Sequence, residues 1–122
     1  MAKVRDPLAR LRKIVNRWPE VSERLSHGAP TFWGGKKTFC NFHVDHHGDK
    51  RVAIWCKADL PTQEGLVEAK PEIFFVPPYV GPSGWIGIRV DLDVDWSMIE
   101  TILEHAYRSV APKSALKLLD GE

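Results

Sequence analysis

The stretch Ile73-Phe-Phe-Val-Pro-Pro-Tyr-Val-Gly-Pro-Ser-Gly-Trp-Ile-Gly-Ile-Arg-Val-Asp-Leu-Asp-Val-Asp-Trp96 carries the clearest structural signal in the chain. A short apolar run, Ile73 to Val76, stops at Pro77-Pro78, and Gly81-Pro82-Ser83-Gly84 turns the chain. Strict alternation follows, with Ile86, Ile88, Val90 and Leu92 on one parity and Trp85, Gly87, Arg89 and Asp91 on the other. Period-two alternation on either side of a Pro/Gly turn predicts two antiparallel strands with one apolar face. Trp85 and Arg89 then belong to the opposite face.

Upstream, the same syntax recurs. Thr31–Trp33 reads as a short strand, Gly34-Gly35 as a turn, and Lys37–Asp45 as a strand with Cys40, Phe42 and Val44 on one side and Asn41 and His43 on the other. His46-His47-Gly48-Asp49 turns the chain into Arg51–Lys57, where Val52, Ile54 and Cys56 alternate with Ala53, Trp55 and Lys57. Helices flank these strands. Asp6-Pro7 starts the first, with Leu8, Leu11, Val15 and Trp18 as its apolar stripe and Arg10, Lys13 and Arg17 opposite, and Pro19 ends it. Glu20–Leu25 is expected to add one or two helical turns. Asp59 starts a short helix reaching about Ala69, and Asp95 caps a long one whose stripe is Trp96, Ile99, Leu103, Ala106 and Val110. Ser114–Leu119 reads as a short terminal helix before a polar tail. The expected architecture is α+β: a single antiparallel sheet with helices packed on one face, as one domain over residues 1–122 with a core at about 8–115.

The composition is that of an ordinary soluble domain. Nothing in it approaches a membrane span, and MAKVRDPLARLRK has no apolar signal core, so the expected setting is the cytoplasm and the expected state a monomer. Two cysteines, Cys40 and Cys56, are expected as reduced, buried thiols. The net charge of +1 conceals an asymmetry: residues 1–37 carry nine Lys/Arg against three Asp/Glu, and the remainder eight against thirteen.

Catalytic and metal signals are weak. His43, His46 and His47 with Asp45 are ligand types, but they sit at a strand end and turn with no further ligand at a typical spacing. Asp91, Asp93 and Asp95 lack the glycine and distal glutamate of a calcium loop and read as a strand exit and helix cap. Ser83 is not on a strand-to-helix elbow. No catalytic residue, metal or cofactor is expected. Two surfaces remain. One is cationic: Arg10, Lys13 and Arg17 on the first helix, joined by Lys36 and Lys37, suited to phosphate. The other is the outer sheet face: Asn41, His43, Trp55, Lys57, Trp85 and Arg89. There the tryptophans either form a binding surface for bases, a small ligand or a protein partner, or pack under a loop.

Four segments resemble the MmcQ/YjbR family of small bacterial proteins: Ala29-Pro30-Thr31-Phe32 leading into Gly35-Lys36-Lys37-Thr38-Phe39; Val52–Lys57; Phe75-Val76-Pro77-Pro78-Tyr79 followed by Gly84-Trp85-Ile86-Gly87-Ile88; and Tyr107–Lys113. The resemblance implies a frataxin/CyaY-like α+β fold and a DNA-binding function, in which two hairpins act as wings. On this chain the wings would be the Lys36/Lys37 region, the His46–Lys50 turn and the Tyr79–Gly84 loop, with Lys57 and Arg89 behind them. A formyltransferase name carried by some relatives finds no folate or nucleotide motif here. Frataxin-type iron handling uses an acidic first helix, and this one is basic. The expectation is a non-enzymatic DNA-binding domain; the rival is a protein-interaction or small-ligand module on the sheet face.

Overall fold

The computed structural model describes residues 3–121. Its elements, in chain order, are α1 (Pro7–Val15), β1 (Val21–Ser26), β2 (Ala29–Gly34), β3 (Lys37–Val44), β4 (Val52–Cys56), α2 (Leu60–Ala69), β5 (Phe74–Phe75), β6 (Ile86–Arg89), α3 (Trp96–Val110) and α4 (Lys113–Leu119). Short 3₁₀ turns at His46–Gly48 and Gly81–Ser83 join β3 to β4 and β5 to β6. The six strands form one sheet in the order β1-β2-β3-β4-β6-β5, antiparallel throughout.

The inner face of the sheet carries the core. Phe32, Cys40, Phe42, Ile54, Cys56, Ile86 and Ile88 pack there with Leu11, Ile14 and Val15 of α1 and with Trp96, Ile99, Leu103, Ala106 and Tyr107 of α3. The helices start where their caps dictate. The carboxylates of Asp6, Asp59 and Asp95 accept from the backbone N–H of Ala9, Thr62 and Ser97, at 3.1, 2.8 and 3.0 Å. Each satisfies a donor that the first turn leaves open. Cys40 and Cys56 face each other across β3 and β4, both buried and free. Burial pushes both thiols up, Cys56 to about 12, so they are packing groups rather than thiolates.

Several elements depart from the sequence reading. Glu20–Leu25 is not helical: Glu20 has φ +60°, and Val21–Ser26 is an edge strand paired with β2. The cause is the His27-Gly28 corner, where φ values of +51° and +80° give the two-residue left-handed turn that suits a twisted hairpin. The first helix ends at Val15 rather than Pro19, so Arg17 leaves the Arg10/Lys13 row and its side chain turns back to the Ile14 carbonyl at 3.2 Å. β5 and β6 are shorter than expected; β6 ends at Arg89, although Val90 stays buried and bonds the Val52 carbonyl at 2.8 Å. Val44, expected to face the helices, is exposed.

A bulge also changes which side chains face outward. Between β2 and β3 the pairing steps from Phe32↔Cys40 to Trp33↔Thr38, leaving Phe39 as the extra residue. Phe39 joins Cys40 in the core, where it meets Tyr107 edge-on and lies near Trp18. Tyr107 stacks on Trp18 and donates to the Pro19 carbonyl at 2.6 Å. The bulge thereby pairs Thr38 with Trp33 on the outer face, where simple alternation from Cys40 would have turned it inward.

Candidate functional site

The outer face is not open across its centre. Trp55 is 3% exposed and Trp85 9%, and they form a second small cluster with Ala53, Phe75 and Val80. Phe75 lies over Gly87, where an added Cβ would come within 2.5 Å of the ring. Of the two alternatives for Trp55 and Trp85, an open binding surface or packing under a loop, the structure has the second: Val80 of the Pro77–Gly84 loop, Phe75, His43 and His46 cover them, and only an edge of Trp85 reaches the surface. Trp55 Nε1–H has no hydrogen-bond partner among the described residues.

Histidines close one side of this cluster. His43 stacks on Trp55 with centroids 3.7 Å apart, and its Nε2 lies 3.0 Å from Asn41 Oδ1. His46 meets both His43 and Trp55 edge-on, and Tyr79 reaches His46 and His47 from the loop. Asn41 and His43 thus serve the packing over Trp55. Arg89 pairs with Asp91 at 2.7 Å, and that pair lowers the Asp91 carboxyl below its ordinary range. Among the described residues no group of three or more His, Cys, Asp or Glu is placed to hold a metal ion.

Burial, reinforced by the neighbouring His46, depresses His43 to about 4. The folded state holds it neutral, whereas the unfolded chain protonates it near pH 6.5. Stability supplied by neutral His43 is present above that pH and is lost as pH falls from 6.5 towards 4. Allowing for solvent screening at a half-buried site, urea unfolding should lose about 1 kcal/mol between pH 7 and 5. His43→Gln should flatten that segment; an equally steep fall in the variant would assign the loss to other groups.

The open part of the outer face lies at the sheet end formed by the β2–β3 turn. A basin of about 560 Å³ is lined by Trp33, Lys36, Lys37, Thr38, Lys57, Ser83 and Trp85. Strand order explains the convergence. Trp33 sits on β2, Thr38 on β3, Lys57 just past β4 and Trp85 just before β6, and these strands are consecutive neighbours in the sheet. They span three inter-strand spacings, roughly 14 Å. Lys57 is fixed at the sheet by its N–H to the Phe39 carbonyl at 2.9 Å. None of the described residues lining the basin is a carboxylate.

Both walls are pinned. Gly35, with φ +69°, lies where a Cβ would stand 2.8 Å from Pro112, and its N–H bonds the Glu20 carbonyl at 3.0 Å. These contacts hold the turn that carries Lys36 and Lys37. On the other wall Gln63 of α2 is buried, and its Nε2 donates to the Gly81 and Trp85 carbonyls at 2.8 and 2.6 Å. Gly84, with φ +91°, packs directly on the Asp59–Leu60 backbone. The guanidinium of Arg24 lies 4.2 Å from the Trp33 ring centroid, a cation–π contact that holds this half-buried indole at the basin edge.

The structure joins Lys36, Lys37, Lys57 and Trp85, which the sequence had assigned to two different surfaces. It adds Trp33 and Arg24, which the sequence reading missed; Trp33 shares the outward parity of Thr31, and that is the signal that could have found it. Arg10, Lys13 and Arg17 stand apart, around a shallow groove that also contains Glu100. Arg17 pairs with Glu100 at 2.7 Å and Arg10 lies over Trp96, so part of that charge is already engaged within the protein.

No helix of the described residues is long and apolar enough to cross a membrane. No curated protein matches the chain significantly. Among solved structures, the chain is similar to the crystal structure of Deinococcus radiodurans protein DR2400, which carries the DUF419 domain, with a TM-score of 0.73 and 17% identity over 98% of this chain and 89% of that one. That likeness establishes the shared fold. The family model for YjbR matches residues 16–109, a span running from the end of α1 to the last turn of α3 and including every basin residue, and by that match the chain belongs to the YjbR family.

Proposed function

We propose that this domain binds DNA through the basin at the β2–β3 end of the sheet, without catalysing a reaction. The observation that carries this reading is the convergence of Lys36, Lys37 and Lys57 with Trp33 and Trp85 around one open concavity whose described lining holds no carboxylate. Lysine ammonium groups suit phosphate oxygens and contribute by releasing counterions. The half-buried Trp33 indole can add stacking at little conformational cost, and the largely covered Trp85 contributes an apolar edge to the lining. The pinned walls mean that little ordering is needed on binding. Arg10 and Lys13 would contribute long-range attraction rather than direct contact.

The rival reading, a small-ligand site, has one observation in its favour. A cleft of about 450 Å³ adjoins the basin at Lys57 and is lined by Asp59, Thr62, Ile102, His105 and Ser109. Its size falls within the roughly 300–1,000 Å³ of small-molecule sites, but its carboxylate disfavours an anion. A fluorescence anisotropy titration across salt tests the DNA reading. Three phosphate contacts from Lys36, Lys37 and Lys57 should give a log K against log salt slope of about −2 to −3. Absence of salt-sensitive binding at micromolar protein would remove the proposal.

A further inference from the structure

We infer that the basin takes single-stranded rather than duplex nucleic acid, with Trp33 stacking on an unpaired base and Lys36, Lys37 and Lys57 holding the flanking phosphates. This rests on the nucleic-acid reading above and specifies its substrate.

Three observations carry it. The first is shape. The basin is a concavity on a sheet face, about 560 Å³, bounded by the β2–β3 turn and the Ser83–Trp85 wall. Duplex readers insert a convex element, a helix or ribbon, into a groove about 12 Å wide, whereas an extruded base needs a recess. The second is the aromatic lining. An indole ring offers its face to a base, and base faces are accessible only where the base is unpaired and unstacked. Trp33 is half-buried and paired across the strands with Thr38; Arg24, from β1, covers one face of its ring, and the basin lies on the opposite side, towards β3, β4 and β6, so the base is expected on the face turned away from Arg24. The third is the limited extent of positive charge. The Ser83–Gly84 wall rests against the backbone of Asp59. The carboxyl of Asp59 is kept below its ordinary range by the Thr62 bonds at the α2 cap, so it stays ionised. Asp59 lines the adjoining cleft together with Lys57, so negative charge borders the positive basin on that side and the cationic surface is short, which suits a flexible strand that can turn away more than an extended rigid duplex.

The test compares three labelled ligands of about 12 nucleotides: oligo-dT, an abasic strand with the same phosphates, and a perfectly paired hairpin. Single-stranded dT should bind about tenfold or more tightly than the hairpin, and removing the bases should cost about tenfold. Trp33→Leu should reproduce that loss with dT and leave abasic binding unchanged, and the abasic comparison on the native protein does not depend on how the variant folds. Equal or tighter salt-sensitive binding of the hairpin would overturn the single-strand assignment while leaving the nucleic-acid reading in place. Equal binding of dT and abasic strands would overturn the stacking role. Binding of none of the three would overturn both the inference and the reading beneath it.

Discussion

Replacing Lys36, Lys37 and Lys57 together by Gln is expected to weaken oligonucleotide binding about 100-fold at 0.1 M salt. Three phosphate contacts on a single strand contribute a salt slope of roughly −2, which corresponds to two decades between 1 M and 0.1 M. The variant should therefore lose affinity at low salt and converge on the native protein at high salt, with its own slope reduced towards zero. Gln retains most of each lysine's aliphatic stem, and Lys36 and Lys37 are exposed, so the fold should be little affected. The comparison variant is Arg10→Gln with Lys13→Gln. It removes two charges from α1 and should change affinity by no more than about threefold, through weaker steering alone. Equal losses from both variants would mean that net charge, not the basin, governs binding.

The second large effect is structural. Gly84→Ala should destabilise the domain by about 2–4 kcal/mol, from two sources. Gly84 has φ +91°, a conformation that strains any residue with a Cβ. The added methyl would also stand 2.9 Å from the Asp59 and Leu60 backbone, which cannot yield as a side-chain tip can. The residue following Gly84 is Trp85, and its carbonyl and that of Gly81 receive the two bonds of Gln63. The same strain should therefore loosen the Pro77–Gly84 cover over Trp55, and tryptophan fluorescence should shift to the red before global unfolding in urea. A melting temperature within about 1 °C of native would show that the loop and the α2 start adjust freely and that the close approach of Gly84 to the Asp59–Leu60 backbone is not a constraint.

The three longer helices were legible because each begins with a local chemical signal. Asp6-Pro7, Asp59-Leu60-Pro61 and Asp95 are caps whose meaning depends on the next three residues. The inner parity of β4 and β6 was legible for the same reason, since alternation is local. β1 was not, because Val21-Ser22-Glu23-Arg24-Leu25-Ser26 mixes a weak alternation with charge, and its strand state comes from pairing with Ala29–Gly34. The Phe39 bulge was hidden because Thr38-Phe39-Cys40 shows no glycine or proline to mark it.

The candidate site was legible in pieces only. Lys36, Lys37, Lys57 and Trp85 stood out as residue types, but their grouping depends on strand order, which a chain with a helix between β4 and β5 does not announce. The burial of Trp55 is a long-range effect of the Pro77–Gly84 loop, and a period-two pattern cannot distinguish a covered outer face from an open one. Arg17 illustrates the opposite error. Helical spacing placed it with Arg10 and Lys13, but the early end of α1 sent it to Glu100 instead.

The basin, not α1, is the expected contact with nucleic acid. Backbone and indole N–H shifts in a two-dimensional NMR titration with oligo-dT locate the contact residue by residue. Perturbations should concentrate at Trp33, Lys36–Thr38, Lys57 and Ser83–Trp85, including the Trp33 indole, with Arg10 to Arg17 nearly unmoved. A map centred on α1, or no perturbation at ligand concentrations that saturate a micromolar site, would overturn the assignment of nucleic-acid binding to the basin.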